Sequence, residues 1–134
     1  MDEIKGFDDI PIGMKLGPEE IDMSEEAVQQ RVDLLQWKDR RSLESQGIAP
    51  PGLTIVNHAK LKFKCLPNNK SSIWAKSEHE FIKPFKVGGK VILQGRVVDK
   101  YIKRDRRYLV CEYETLDEAG ELLMRSRETG VYVE

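Results

Sequence analysis

A chain of 134 residues that is 40% hydrophobic and 34% charged has the size and composition of one globular domain, predicted to span residues 1–134. Its formal net charge of −1 lacks the basic excess of a nucleic-acid-binding surface. No apolar stretch approaches the roughly 18 residues that cross a bilayer. The sequence therefore predicts a protein with neither a nucleic-acid nor a membrane partner.

The opening of the chain is predicted to hold a short strand and a helix. Glycine and proline breaks at residues 11–18 leave room for a strand that reaches up to Met23. Ser24 is a good N-cap, and the helix that it opens is predicted to end near Trp37. The apolar face of this helix is formed by Val28, Val32 and Leu35.

A polar connection over residues 38–50 is predicted to lead to a second helix. The pair Pro50-Pro51 forces an extended approach, and a proline in the first turn favours a helix that starts there. This helix is predicted from Leu53 to about Leu66. The alternation over residues 60–65 also fits a strand, and the pattern alone leaves that choice open.

The second half of the chain is predicted to be β-structure. Turns are expected at residues 87–89, 103–106 and 117–120, where glycines or charged residues cluster. The four strands between these turns are predicted over residues 71–85, 91–103, 108–116 and 121–133. Three consecutive hairpins would arrange them as an antiparallel meander, and the two preceding helices make the fold class α+β.

The two cysteines, Cys65 and Cys111, lie far apart and have no partners at metal-ligand spacing. We interpret them as reduced, small hydrophobic residues of a cytoplasmic protein. The charged segment at residues 1–5 has no apolar leader, in agreement with that location. We predict that the protein binds no metal and no cofactor.

Five segments of the sequence resemble, in the same order, segments of the MaoC-like dehydratases, the family of the (R)-specific enoyl-CoA hydratases. They are FDDIPIGMKL at residues 7–16, SEEAV at 24–28, IAPPGL at 48–53, FIKPFKVGGKV at 81–91 and LDEAGEL at 116–122. The resemblance covers nearly the whole chain. It implies an α+β hot-dog fold, in which a curved antiparallel sheet wraps around a central helix, and acyl-CoA bound between two such domains.

The resemblance implies that the start of the central helix contacts the thioester. Backbone N–H groups at a helix start are free and lie at the positive end of the dipole, so they polarise a thioester carbonyl and stabilise an enolate. The candidates are the N–H groups of Gly52 and Leu53, with Pro51 fixing the approach. The alternative is that these residues only shape the start of the helix.

The catalytic pair of the resembled family is incomplete in this sequence. Its hydratases place an Asp and, five positions later, a His in a loop before the central helix, where they act as acid and base. If Asp39 is aligned with the family's Asp, Glu44 stands at the position of the histidine. If the alignment instead starts at Gly47 and runs backwards, the catalytic stretch of the family has no counterpart in this sequence. Asp39 and Glu44 are the candidate catalytic residues if burial raises the pKa of one of them. The alternative is a solvated loop in which they pair with Arg40 or Arg41.

Both histidines lie outside that loop. His58, beside Asn57 in the second helix, is either a hydrogen-bonded core residue or part of an acyl tunnel, so both residues are candidates for substrate binding. His79 is expected at the surface of a strand. The lysines at residues 60, 62 and 64 either contact the phosphates of CoA or form a solvated face.

Three functions remain open on the sequence. The first is an enoyl-CoA hydratase or 3-hydroxyacyl-CoA dehydratase, and the second is a non-catalytic acyl-CoA-binding subunit that partners a catalytic one. The third is an acyl-CoA thioesterase, for which Asp39 is the available carboxylate because residues 51–66 contain no Asp or Glu. All three predict a homodimer or a hetero-oligomer with another hot-dog subunit, since a lone sheet exposes an edge and an apolar patch.

Overall fold

The computed structural model describes residues 4–50, 52–66 and 68–133. Within these residues, five strands form one antiparallel sheet in the spatial order β1-β3-β4-β5-β2. The strands are β1 (Lys15–Asp22), β2 (Ser71–Phe81), β3 (Lys90–Lys103), β4 (Arg106–Leu116) and β5 (Leu122–Val133). The α-helices are α1 (Glu25–Leu34), α2 (Arg41–Gln46) and α3 (Val56–Cys65). The predicted α+β class is confirmed.

Helix α1 begins as the sequence predicts. Ser24 Oγ accepts a hydrogen bond from the Ala27 N–H at 3.2 Å, and Val28 and Val32 are buried. The predicted extension to residue 37 is wrong, because the helix ends at Leu34 and the chain turns through Gln36, whose φ is +55°. Leu35, predicted on the apolar face, is 59% exposed for the same reason.

The predicted polar connection over residues 38–50 contains the short helix α2. Its six residues, RSLESQ, are polar almost all round, so they carry no apolar period from which a helix could be predicted. Helix α3 starts at Val56 rather than Leu53, because residues 52–55 form tight turns with bonds such as Ile55 N–H to Gly52 O at 3.1 Å. The alternation over residues 60–65 belongs to this helix and not to a strand.

The predicted four-stranded meander is wrong at its first hairpin. Strands β3, β4 and β5 are consecutive neighbours, but β2 pairs with β5 at the far side of the sheet and not with β3. The glycines predicted to close that hairpin instead hold another segment: Gly88 N–H donates to Met23 O at 2.7 Å, and Met23 N–H to Gly89 O at 3.0 Å. The segment at residues 85–87 pairs with residues 47–49, which lead to α3.

The core lies between the inner face of the sheet and the helices. Val91, Leu93 and Val97 of β3 are buried there together with His58, Leu61 and Lys62 of α3. Strand β2 stands at the edge of the sheet, with one of its sides unpaired within the described residues. In the same part of the chain, no helix has both the length and the apolarity that crossing a membrane requires.

Candidate functional site

A surface cavity of about 490 Å³, here called the loop cavity, opens between α1, α2 and the segment that leads to α3. Its lining residues are Val32, Trp37, Asp39, Arg40, Arg41, Leu43, Ser45, Gln46, Ile48, Ala49 and Pro50. The predicted catalytic residue Asp39 therefore shares a cavity with the approach to the central helix. Glu44 is exposed and does not belong to the described lining.

The carboxylate of Asp39 is held by Arg41. The guanidinium donates to both oxygens, at 2.8 Å from Nη2 and 3.0 Å from Nε, and the Arg41 backbone N–H donates at 3.2 Å. These hydrogen bonds to the charged form hold the pKa of Asp39 below its usual range. The side chain of Asp39 is 58% exposed, as in the solvated charged loop that the sequence left open. The hydrogen bonds from Arg41 therefore outweigh burial, and the net effect is a lowered pKa for Asp39.

At the start of the central helix, Gly52 and Leu53 differ in their free hydrogen-bonding capacity. Gly52 has a φ of +80°, a conformation that favours glycine, and its N–H meets no acceptor within the part of the chain that the structure describes. The Leu53 N–H donates to Pro50 O over a long 3.4 Å, and the Leu53 side chain is buried. Pro51 lies outside the described residues. Asn57, the other predicted substrate contact, accepts a hydrogen bond from Arg31 at 3.4 Å.

A second group of polar residues is assembled by the register of the sheet. In one row across the strands, His79 of β2 stands opposite Ser126 of β5, which stands opposite Tyr113 of β4. In the next row, Glu128 of β5 stands opposite Cys111 of β4. Helix α3 lies over both rows, and His58 projects from it. We call His58, His79, Tyr113 and Glu128 the buried cluster.

His58 is at the centre of the buried cluster. It is fully buried, its Nδ1 lies 2.6 Å from Glu128 Oε2, and its ring stacks on Tyr113 with centroids 4.6 Å apart and an interplanar angle of 11°. This matches the hydrogen-bonded core residue that the sequence left open. The other ring nitrogen, Nε2, is buried and meets no partner among residues 4–50, 52–66 and 68–133.

The Tyr113 ring fits beside His58 because position 95 carries no side chain. A Cβ at Gly95, opposite Tyr113 on β3, would lie 2.7 Å from Tyr113 Cδ1. Burial raises the pKa of Tyr113, so its phenol stays protonated at neutral pH. Tyr113 therefore contributes an aromatic ring that packs against His58 and a hydroxyl that stays uncharged.

His79 was predicted at the strand surface, but it is half-buried on the inner face of the sheet. Its Nδ1 lies 2.7 Å from Ser126 Oγ, and its ring centroid is 6.2 Å from that of His58. Burial lowers the pKa of His79, which favours the neutral imidazole. One potential ligand atom from each of His58, His79 and Glu128 lies within 4.8 Å of the other two.

Lys62 corrects the expectation of a solvated or phosphate-binding lysine. It is buried, and its Nζ donates to Ser72 Oγ at 2.7 Å. Burial lowers the pKa of Lys62.

Sequence reasoning also missed Glu128. The strand period was an available signal, because buried Met124 marks the inward face of β5 and the residues two and four positions later must share it.

Comparison by sequence finds no matching protein-family profile and no matching curated protein. Comparison by structure finds the (R)-hydratase from A. caviae involved in PHA biosynthesis, with a TM-score of 0.76 and 16% identity over 93% of this chain and 98% of that one. The MaoC-like dehydratase from Rhodospirillum rubrum matches with a TM-score of 0.74 and 18% identity, over 96% and 97% of the two chains.

A third solved structure is that of a complex. One chain of the HadBC (3R-hydroxyacyl-ACP dehydratase) complex from Mycobacterium tuberculosis matches with a TM-score of 0.73 and 14% identity, over 90% of this chain and 96% of that one. The chain therefore has the hot-dog fold of MaoC-like dehydratases and (R)-hydratases, and α3 is its central helix. The resemblance stated from the sequence is confirmed at the level of the fold.

Proposed function

We propose that the chain acts on acyl-CoA thioesters as an enoyl-CoA hydratase or, in the opposite direction, as a 3-hydroxyacyl-CoA dehydratase. The observation that carries the proposal is the loop cavity, where Asp39 and Pro50 line one space at the approach to the central helix of a hot-dog fold. The reaction type named for the A. caviae and Mycobacterium tuberculosis neighbours supports it.

The proposed roles follow from what hydration requires. A base takes a proton from water as the water oxygen attacks the β-carbon, and this attack places negative charge on the thioester oxygen. A proton delivered to the α-carbon then removes that charge. The Gly52 N–H, which meets no described acceptor, is the candidate donor to that oxygen. Asp39 is the candidate base, and Glu44 would have to move into the cavity to act as the acid.

One observation favours a second candidate function. Asp39 is hydrogen-bonded to Arg41 at 2.8 and 3.0 Å, and Glu44 is exposed and outside the cavity lining, so neither carboxylate is placed for proton transfer. A non-catalytic subunit would need only the cavity and the free amide. In that case a catalytic partner would supply the acid and the base.

Both functions involve association with a second hot-dog subunit, identical or different. The unpaired side of β2 offers backbone groups for a further strand, and an apolar groove of about 310 Å³ lies beside it. Its lining is Ile55, Val56, Ala59, Lys62, Phe63, Ser72 and Trp74. Light scattering should show a dimer or larger species that Trp74→Lys dissociates and Ile102→Lys, on β3 and separated from β2 by β4 and β5, does not. A monomeric parent chain would contradict homo-association.

The reaction is tested by hydration of crotonyl-CoA, followed as loss of absorbance of the conjugated thioester. Turnover by the purified chain is expected, and Asp39→Asn should lower kcat by roughly 10²-fold or more. Glu20→Gln is the matched control, because Glu20 is an exposed carboxylate that also pairs with a cation, Lys90 at 2.7 Å, and neither residue belongs to the cavity lining.

The remaining outcomes separate the alternatives. Absence of turnover with calorimetric binding of crotonyl-CoA would support the non-catalytic subunit. Release of the CoA thiol would indicate a thioesterase. Absence of both turnover and binding, for the chain alone and with added hot-dog partners, would contradict the acyl-CoA proposal.

A further inference from the structure

We propose that His58, His79 and Glu128 form a binding site for a divalent transition-metal ion, with Zn²⁺ as the best-matched ion. The sequence has two histidines, and the fold brings both to one buried carboxylate. One ligand atom from each of the three residues lies within 4.8 Å of the other two. The site is independent of the loop cavity and of the reaction proposed for it.

The ligand types select the class of ion. Two imidazoles and one carboxylate suit Zn²⁺ or Co²⁺, whereas Mg²⁺ and Ca²⁺ prefer oxygen ligands throughout. Three protein ligands with a fourth position left for water are the pattern of open zinc sites. The carboxylate of Glu128 also offsets part of the charge of the ion within a buried setting.

The three ligand atoms lie within 4.8 Å of one another, so to hold one ion the hydrogen-bonded pair must separate and the other pairs must close by up to about 1.5 Å. In a tetrahedral site with bonds of about 2.0–2.1 Å, two ligand atoms lie about 3.3 Å apart. His58 Nδ1 and Glu128 Oε2 are now joined by a 2.6 Å hydrogen bond, so an ion that replaces the shared proton would push them apart by less than ~1 Å. His58 could also bind the ion through Nε2 instead of Nδ1, because the buried Nε2 has no partner among the described residues.

Contacts with neighbouring side chains hold both histidine rings in place. Metal-bound histidines usually hydrogen-bond through the other nitrogen, which fixes the ring and its tautomer. His79 Nδ1 already lies 2.7 Å from Ser126 Oγ, which leaves Nε2 for an ion, and Tyr113 stacks on His58. Because the three ligands stand on α3, β2 and β5, a bound ion would tie the edge strand to the core.

The test is titration of the full chain, pretreated with a chelator, with Zn²⁺ by calorimetry and with Co²⁺ by visible absorption. One ion per chain is expected, and His79→Gln should weaken Zn²⁺ binding by at least about tenfold. The half-buried His79 is the residue to change, because His58 is fully buried and its loss threatens folding. Circular dichroism confirms that each variant is folded.

Two controls guard against binding elsewhere. Glu78→Gln removes an exposed carboxylate beside His79, and Cys65→Ser removes a half-buried thiol, a type of ligand that zinc favours. Both variants should bind as the parent does. Unchanged binding in His79→Gln, or loss of binding in Cys65→Ser alone, would overturn the proposal. In ¹⁵N spectra, Zn²⁺ should shift ring nitrogens of both histidines, and a shift confined to His79 would equally overturn it.

Discussion

The loop cavity and the buried cluster hold their carboxylates in opposite ways. Asp39 is 58% exposed and is surrounded by donors from Arg41, whereas Glu128 is 5% exposed and has a histidine ring as its partner. Water screens the charges of the Asp39–Arg41 pair and would solvate Asp39 if Arg41 were removed, so this pair adds little to stability. In the second pair, removal of one partner leaves a buried group that water cannot reach. Substitutions in the loop should therefore have little effect on the free energy of unfolding, whereas substitutions in the buried cluster should lower it.

The largest expected effect breaks the buried side of this comparison. Glu128→Ala should lower the free energy of unfolding by about 3–5 kcal/mol, because it leaves His58 buried without its partner. Urea unfolding measures the change. The control is Glu112→Ala on the neighbouring strand, whose carboxylate pairs with Arg127 and Arg96 near the surface and should contribute less than about 1 kcal/mol. Equal effects would show that the two environments do not differ in energy.

The next effect tests whether the stacked ring is tightly packed. Gly95→Ala should destabilise the protein by about 1–3 kcal/mol, since the new methyl group would lie 2.7 Å from the Tyr113 ring. A reduced near-ultraviolet circular dichroism signal should accompany the change in urea unfolding. Gln94→Ala, one position away on β3, is expected to have little effect. If Gly95→Ala matches this control, the cluster has more room than its distances indicate.

A smaller difference is expected between the labelling rates of the two cysteine thiols, one partly exposed and one buried. Burial raises the pKa of Cys111 to about 11, so it remains a buried thiol at pH 8, whereas Cys65 is partly exposed. A disulfide reagent should therefore label one thiol rapidly in the native chain and both after unfolding. Cys65→Ser should abolish the rapid phase. A rapid phase that persists in this variant would place Cys111 within reach of solvent.

The smallest effect is expected in the loop cavity. The pKa of Asp39 is lowered by Arg41, so the stability that the pair provides is present above the pKa of the unfolded chain and is lost as the pH falls through the folded value. Because the pair is exposed, Asp39→Asn should leave the urea midpoint unchanged within error at pH 7 and at pH 3. A shift as large as that of Gly95→Ala would mean that the loop is structural.

Local patterns in the sequence predicted most elements of the fold but not their pairing. Ser24 caps α1 as expected, and the two-residue turn at Arg104 and Asp105, with φ of +52° and +62°, joins β3 to β4. The hairpin predicted around Gly88 failed because a turn signal does not specify what the flanking strands pair with. That choice depends on contacts between segments far apart in the chain, here Met23 and residues 47–49.

The candidate site divides in the same way. Asp39 and the approach at Pro50 were found from the sequence because they belong to one continuous segment. Glu128 was missed because its partner His58 is 70 residues away, and only the sheet register brings them together. A charged residue at an inward position of an alternating strand was the one local indication of it.

The placement of β5 between β4 and β2 has a consequence for synthesis on the ribosome. Strand β2 emerges early, yet the strand that it pairs with within the chain is the last of the five to be made. Until Leu122–Val133 has left the exit tunnel, β2 has both sides open, with Ile73 and Trp74 exposed, and is a target for chaperones or for another nascent chain. The pairing of β2 with β5 therefore cannot form until the last of the five strands has been made.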